Sequence, residues 1–185
     1  MWPFKPKHKD PRGHRLVCAI ECLFNQNARD EGAAESAAAT PGLSMRLSRA
    51  GVGMVQIPCP EMACLGHRRG RAPGQSIRDA LQTPEAADCC ASQAAAMADR
   101  IQAYQREGID VAAILGGNVQ SPGCAVHARE DDPQRLAARS GLYMLALEKA
   151  LEKRGLNIPF RGMRDADPQL LADDLEWLAR TLSRN

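Results

Sequence analysis

The chain has 185 residues, a net charge of +2 and 4% aromatic residues. Its length suits one domain with a sizeable core. The near-neutral charge and scarce stacking platforms argue against a dedicated nucleic-acid binder, and no apolar run approaches the length of a membrane span.

The start, Met1-Trp2-Pro3-Phe4-Lys5-Pro6-Lys7-His8-Lys9, is basic but is not followed by an apolar segment of signal-peptide length. Residues 1–14 therefore read as a flexible basic leader to a domain over 15–185, and the expected location is cytoplasmic. Arg15-Leu16-Val17-Cys18-Ala19-Ile20 is a short apolar run suited to a buried parallel strand. It passes into Glu21-Cys22-Leu23-Phe24-Asn25-Gln26-Asn27, whose amides signal a loop. Leu43 to Ala50 reads as a short helix stopped by Gly51.

A second buried strand, Val52 to Ile57, leads into Pro58-Cys59-Pro60-Glu61. The two prolines fix φ and remove amide donors, so this stretch is expected to be a stiff loop presenting a thiol and a carboxylate. Residues Met62 to Gln75 carry three glycines and Arg68, Arg69 and Arg71, and read as a long, basic, solvated loop. Thr83-Pro84 opens a long helix that runs to about Glu107 and stops at Gly108. Within it the adjacent Cys89 and Cys90 point in different directions and are assigned to packing.

Ile109 to Leu115 is the third strong strand, followed by Gly116-Gly117-Asn118-Val119-Gln120-Ser121-Pro122-Gly123-Cys124. Residues His127 to Ser140 are charged and expected at the surface. Gly141 to Arg154 has helical spacing and ends at Gly155. Ile158-Pro159-Phe160 reads as a short edge strand, because Pro159 lacks a donor. Asp167-Pro168 caps a last helix with an apolar stripe of Leu171, Leu175, Leu178 and Leu182. Alternating strands and helices imply an α/β fold, a single domain with a mostly parallel sheet flanked by helices.

Seven cysteines are more than packing needs. An odd number without an export signal makes a disulfide framework unexpected and points to metal, cluster or redox chemistry. Cys22, Cys59 and Cys124 each follow a strong strand. In a parallel sheet those loops share one edge, where open α/β sheets keep their ligands. Three thiolates fall one short of a structural zinc site. On an iron–sulfur cubane they leave one iron open as a Lewis acid with affinity for sulfur. Glu61 and Ser121, close by, can handle protons. Cys18 lies within its strand, and Cys64 is a spare thiol.

Glu21-Cys22-Leu23-Phe24-Asn25, Pro58-Cys59-Pro60-Glu61 and Ser121-Pro122-Gly123-Cys124 together resemble the thiouracil desulfurase family, over roughly residues 15 to 165. The resemblance implies a [4Fe–4S] cluster held by Cys22, Cys59 and Cys124, with Glu61 and Ser121 as catalytic residues. The open iron would take the sulfur of a small thiolated compound such as a thio-nucleobase, and water would replace that sulfur at carbon. The third loop departs from the family's usual Ser-Pro-Ser-Cys-Gly, reading Ser121-Pro122-Gly123-Cys124-Ala125. The first also departs, at Asn25-Gln26-Asn27-Ala28-Arg29, so the resemblance bears on the cluster more than on the substrate. The other reading of the same thiols is a non-catalytic metal-binding or redox-sensing domain. Its zinc form would add Cys64 or His67 as a fourth ligand.

Overall fold

The computed structural model describes residues 10–183. Residues 1–9 of the expected leader lie outside the described residues. Gly13 and His14 already dock on the domain: a Cβ at Gly13 would stand 2.2 Å from the Gly51 carbonyl oxygen, and the His14 carbonyl accepts from the Asp110 amide at 2.8 Å.

Four strands, β1 (Arg15–Ile20), β2 (Gly53–Ile57), β3 (Asp110–Gly116) and β4 (Phe160–Gly162), form one all-parallel sheet in the order β2-β1-β3-β4. The α/β expectation is met. β1 and β3 are central and buried on both faces, which is why they read as unbroken apolar runs. β4 begins two residues later than expected. Pro159 has no N–H, yet its carbonyl accepts from the Ile114 amide at 2.9 Å, so it leads into the edge strand rather than lying within it.

The helices are α1 (Leu43–Arg49), α2 (Pro60–Leu65), α3 (Ile77–Leu81), α4 (Pro84–Arg106), α5 (Leu142–Glu152) and α6 (Pro168–Leu182). α4 and α5 pack on one another, and Arg154 ties them through Asp99 at 2.7 Å. Leu43 and Leu47 of α1 and Leu171, Leu175 and Leu178 of α6 are buried in the same core as the sheet. Burial of each such leucine contributes about 1.5–3 kcal/mol. Asp167 caps α6 as its sequence position predicts, accepting from the amides of Gln169 and Leu170 at 2.8 and 3.1 Å.

Two readings of the sequence are corrected between β2 and α4. Pro58-Cys59-Pro60-Glu61 is not a free loop: Cys59 is the N-cap of α2, and Pro60 is its first residue. A first-turn proline loses nothing, because that amide has no intrahelical partner anyway. Nor is 62–75 a solvated loop throughout. α2 runs to Leu65, and Arg69 is buried, 1% exposed, with a left-handed backbone at φ 46°. Ser76 then caps α3, accepting from the Asp79 amide at 3.0 Å.

The chain runs outward from β1 to β2, then returns past β1 to β3 and on to β4. This order makes the carboxyl ends of β1 and β3 the point where the winding reverses, and a crevice opens there in folds of this kind.

Candidate active site

The crevice is a cleft of about 630 Å³, and Cys22, Cys59, Glu61, Ser121 and Cys124 all line it. Each thiol reaches it from the end of a different strand. Cys22 lies in a 3₁₀ turn, Glu21–Leu23, directly after β1. Cys59 follows β2 and caps α2, and the Glu21 carboxylate accepts its amide at 2.9 Å, binding the first two loops together. Cys124 closes the loop after β3, where the Gly117 amide donates to the Cys124 carbonyl at 3.0 Å.

Glycine permits this convergence. A Cβ on Gly117 would stand 2.7 Å from Cys124 Sγ, and one on Gly123 would stand 2.8 Å from Pro60 Cγ. Backbone and thiol approach closer here than any side chain allows.

Glu61 and Ser121 meet as well. The Ser121 hydroxyl donates to Glu61 Oε1 at 2.9 Å, and the Gly123 amide donates to the same oxygen at 3.1 Å. Ser121 Oγ also lies 3.1 Å from Cys124 Sγ and accepts the Cys124 amide at 3.2 Å. Carboxylate, hydroxyl and thiol therefore form one contiguous chain on the cleft wall.

The thiols differ in electrostatic setting. A hydrogen bond from the Cys124 thiol draws Cys22 below the ordinary thiol value against the cost of burial, with Arg29 assisting. The same bond, with burial, holds Cys124 well above it. Burial pushes Cys59 up to about 11.

Two arginines went unassigned in the sequence. Arg69 donates to the Ala28 carbonyl at 2.5 Å and the His67 carbonyl at 2.7 Å. It also reaches Cys59 Sγ at 3.5 Å and lies 3.7 Å from Glu61 Oε2. Its Nε has no hydrogen-bond partner although it is buried. Arg29 makes a two-oxygen contact with Asp165 at 2.7 Å, and the same carboxylate accepts from Gln26, Thr40 and Asn118. Asp165 ties the loops after β1 and β3 to the segment after β4. In the sequence Arg69 is one of three arginines in the basic stretch 62–75, and Arg29 stands in the loop after Cys22.

The remaining cysteines separate cleanly. Cys18 is wholly buried inside β1, and burial raises its thiol to about 12. Cys90 is buried, as packing predicts. Cys64 and Cys89 form a disulfide, 25 residues apart, which corrects both the expectation of reduced thiols throughout and the assignment of Cys89 to packing alone. It also removes Cys64 as the fourth ligand of a zinc site.

Among the described residues no group of three or more His, Cys, Asp or Glu side chains is arranged to hold a single metal ion. A zinc site needs donors focused on one centre. On a cubane each thiolate serves a different iron and no common focus is required. The three thiols line the cleft from three strand ends, with Arg29 against Cys22 and Arg69 against Cys59 to offset thiolate charge. Comparisons with protein-family models, curated proteins and solved structures find no match for this chain.

Proposed function

We propose that the protein is a desulfidase that hydrolyses a small thiolated compound, of which a thio-nucleobase is the leading class. The single observation that carries this reading is the meeting of Cys22, Cys59 and Cys124 in one cleft with the Glu61–Ser121 pair hydrogen-bonded beside them. A [4Fe–4S] cluster held by the three cysteines supplies, when bound, an open Lewis-acidic iron with affinity for sulfur.

The other roles belong to the chain. In the reaction a water oxygen bonds to the thiolated carbon, the carbon–sulfur bond breaks, and sulfur leaves as hydrosulfide. Glu61 takes a proton from the attacking water and returns it to the departing product. Ser121 holds the Glu61 carboxylate in one orientation, and the Gly123 amide fixes the same oxygen from the backbone. Arg69 supports Cys59 and Glu61 together. Ala28, Ile77, Val119, Pro122 and Leu170 line the remainder alongside the charged and polar Asp30, Glu31, Glu35, Asn118, Gln120, Arg164 and Asp167, so a small substrate would meet both apolar walls and hydrogen-bonding groups.

Anaerobic reconstitution with iron and sulfide, followed by metal and sulfide analysis and an assay of hydrosulfide release from thiouracil, tests the reading. Brown protein with about four irons per chain and measurable release is expected. A colourless protein holding stoichiometric zinc would sink it.

A further inference from the structure

Three sulfurs lie together outside the cleft. Cys64 on α2 is bonded to Cys89 on α4, and the next residue of α4, Cys90, places its sulfur 3.7 Å from Cys64 Sγ. Gln93, one turn along α4, donates its amide to Cys89 Sγ at 3.2 Å and to Cys64 Sγ at 3.5 Å. Neighbouring residues of a helix point about 100° apart, so a single sulfur seldom touches both. Here the carboxyl end of α2 docks where it does.

We propose that Cys64, Cys89 and Cys90 form a thiol–disulfide exchange centre in which Cys64 changes partner between Cys89 and Cys90. Exchange proceeds by attack of a thiolate on a disulfide sulfur, so it requires a third sulfur held in contact with the bond. Cys90 Sγ forms a bond to Cys64 Sγ, and the Cys64–Cys89 bond breaks with its electron pair passing to Cys89. Cys89 then takes up the proton that Cys90 gave up. One disulfide and one thiol stand on each side, so no outside oxidant or reductant is consumed.

The two pairings differ in what they leave free. Cys90 is buried, whereas Cys89 is partly exposed. Exchange therefore moves the free thiol from the core toward the surface, where a small disulfide can react with it by the same exchange. Burial, then the charge of Glu61, pushes the Cys90 thiol up to about 11. This keeps Cys90 mostly protonated and slows its attack on the Cys64–Cys89 bond. Gln93 is placed to stabilise the thiolate that Cys89 becomes.

The exchange has a route to the cleft. α2 carries Cys59 at its N-cap and Glu61 in its first turn, and Cys64 anchors its far end. Changing partner moves that anchor by one residue of α4, about 1.5 Å along the helix axis and 100° around it. This consequence rests on the proposed desulfidase reading; the exchange itself does not.

Peptide mapping of the full chain by mass spectrometry, after alkylation without reduction, tests the exchange with no measurement of turnover. Cys89→Ser treated with glutathione disulfide should yield a Cys64–Cys90 disulfide in most molecules, while Cys90→Ser should keep Cys64–Cys89. If Cys64 and Cys90 both remain alkylatable in a Cys89→Ser protein with native circular dichroism, the proposal is overturned. The unmodified protein provides a second arm should that variant fail to fold. Native-state labelling with iodoacetamide should mark Cys89 and leave Cys64 joined to Cys90. Label confined to Cys90, with Cys64–Cys89 intact, overturns the proposal equally.

Discussion

Ser121 and Glu61, separated by 60 positions in the chain, are joined by a 2.9 Å hydrogen bond in which the serine hydroxyl donates to the carboxylate. The loop after β3 thereby sets the orientation of a side chain on α2. Ser121→Ala removes that donor and leaves Glu61 Oε1 with the Gly123 amide alone. The expected loss in kcat is about 10- to 100-fold, the rate equivalent of roughly 1.5–3 kcal/mol for one hydrogen bond to a charged group. Iron content should not change. Glu61→Gln should cost more, about 10²- to 10⁴-fold. Steady-state kinetics on reconstituted protein decide both, and unaltered kcat in Glu61→Gln would remove its acid–base role.

Replacing cleft thiols and core thiols separates ligands from packing. Cys22→Ser, Cys59→Ser and Cys124→Ser should each abolish iron loading with native circular dichroism, because all three side chains line one cleft. Cys18→Ala should load iron normally, since Cys18 is enclosed within β1. Iron and sulfide analysis reads the result. Loading that survives all three cleft substitutions would end the tripod assignment.

Gly117 tests how tightly that tripod is built. An alanine there would put its Cβ 2.7 Å from Cys124 Sγ and 4.0 Å from Ser121 Cβ. The thiol has to move, so Gly117→Ala should lower stability by about 1–3 kcal/mol and reduce iron loading together. Gly32 makes a useful contrast: it has φ of 79° but nothing within 4 Å of its added Cβ. Gly32→Ala should strain the backbone without touching metal uptake. Urea melts and iron analysis of the two variants provide the comparison.

Much of this arrangement was legible in the sequence because it follows from short-range signals. Leu16–Ile20 and Val111–Gly116 are apolar since both strands are covered on both faces beyond their first residue, and strand order then brings the three following loops to one edge. What was not legible depends on distant partners. Arg69 looked like one of several loop arginines. It is buried because the Ala28 carbonyl, 41 positions away, accepts from it. Asp165 gave no signal, since the residues it joins lie up to 139 positions away. An odd cysteine count argues against a disulfide framework but excludes only complete pairing, and Cys64 and Cys89 pair. Pro60 conceals α2 in the sequence, because a proline inside an element ends it whereas one in the first turn begins it.

Arg69 should prove the most sensitive charged residue near the cleft. Arg69→Met keeps most of the volume but leaves the Ala28 and His67 carbonyls without their donor and Glu61 without its nearest cation. Removing one partner from a buried ionic contact costs about 3–5 kcal/mol. The 3.7 Å separation from Glu61 puts this case toward the lower end. Lysine should not rescue it, because one ammonium cannot reach two carbonyls and the cysteine sulfur as the guanidinium fork does. Thermal melts of Arg69→Met and Arg69→Lys check this, and a melt of Arg69→Lys indistinguishable from the unaltered protein would show the fork to be dispensable.

Alkaline pH should unfold the metal-free protein through its core thiols. Burial lifts Cys18 from the ordinary 9.0 to about 12 and Cys90 to about 11. In the unfolded chain both ionise near the ordinary value. A raised folded pKa means that their contribution is fully present below pH 9 and is lost as pH climbs through the folded values. Cys18, enclosed in β1 with no exposed surface, should account for a steady part of the decline across that window. Urea melts of the metal-free protein from pH 8 to 11 would show the decline steepening above 9. Cys18→Ala should start lower at every pH, because it leaves a cavity, yet fall less steeply. Parallel slopes for the two proteins would mean that Cys18 does not drive the alkaline transition.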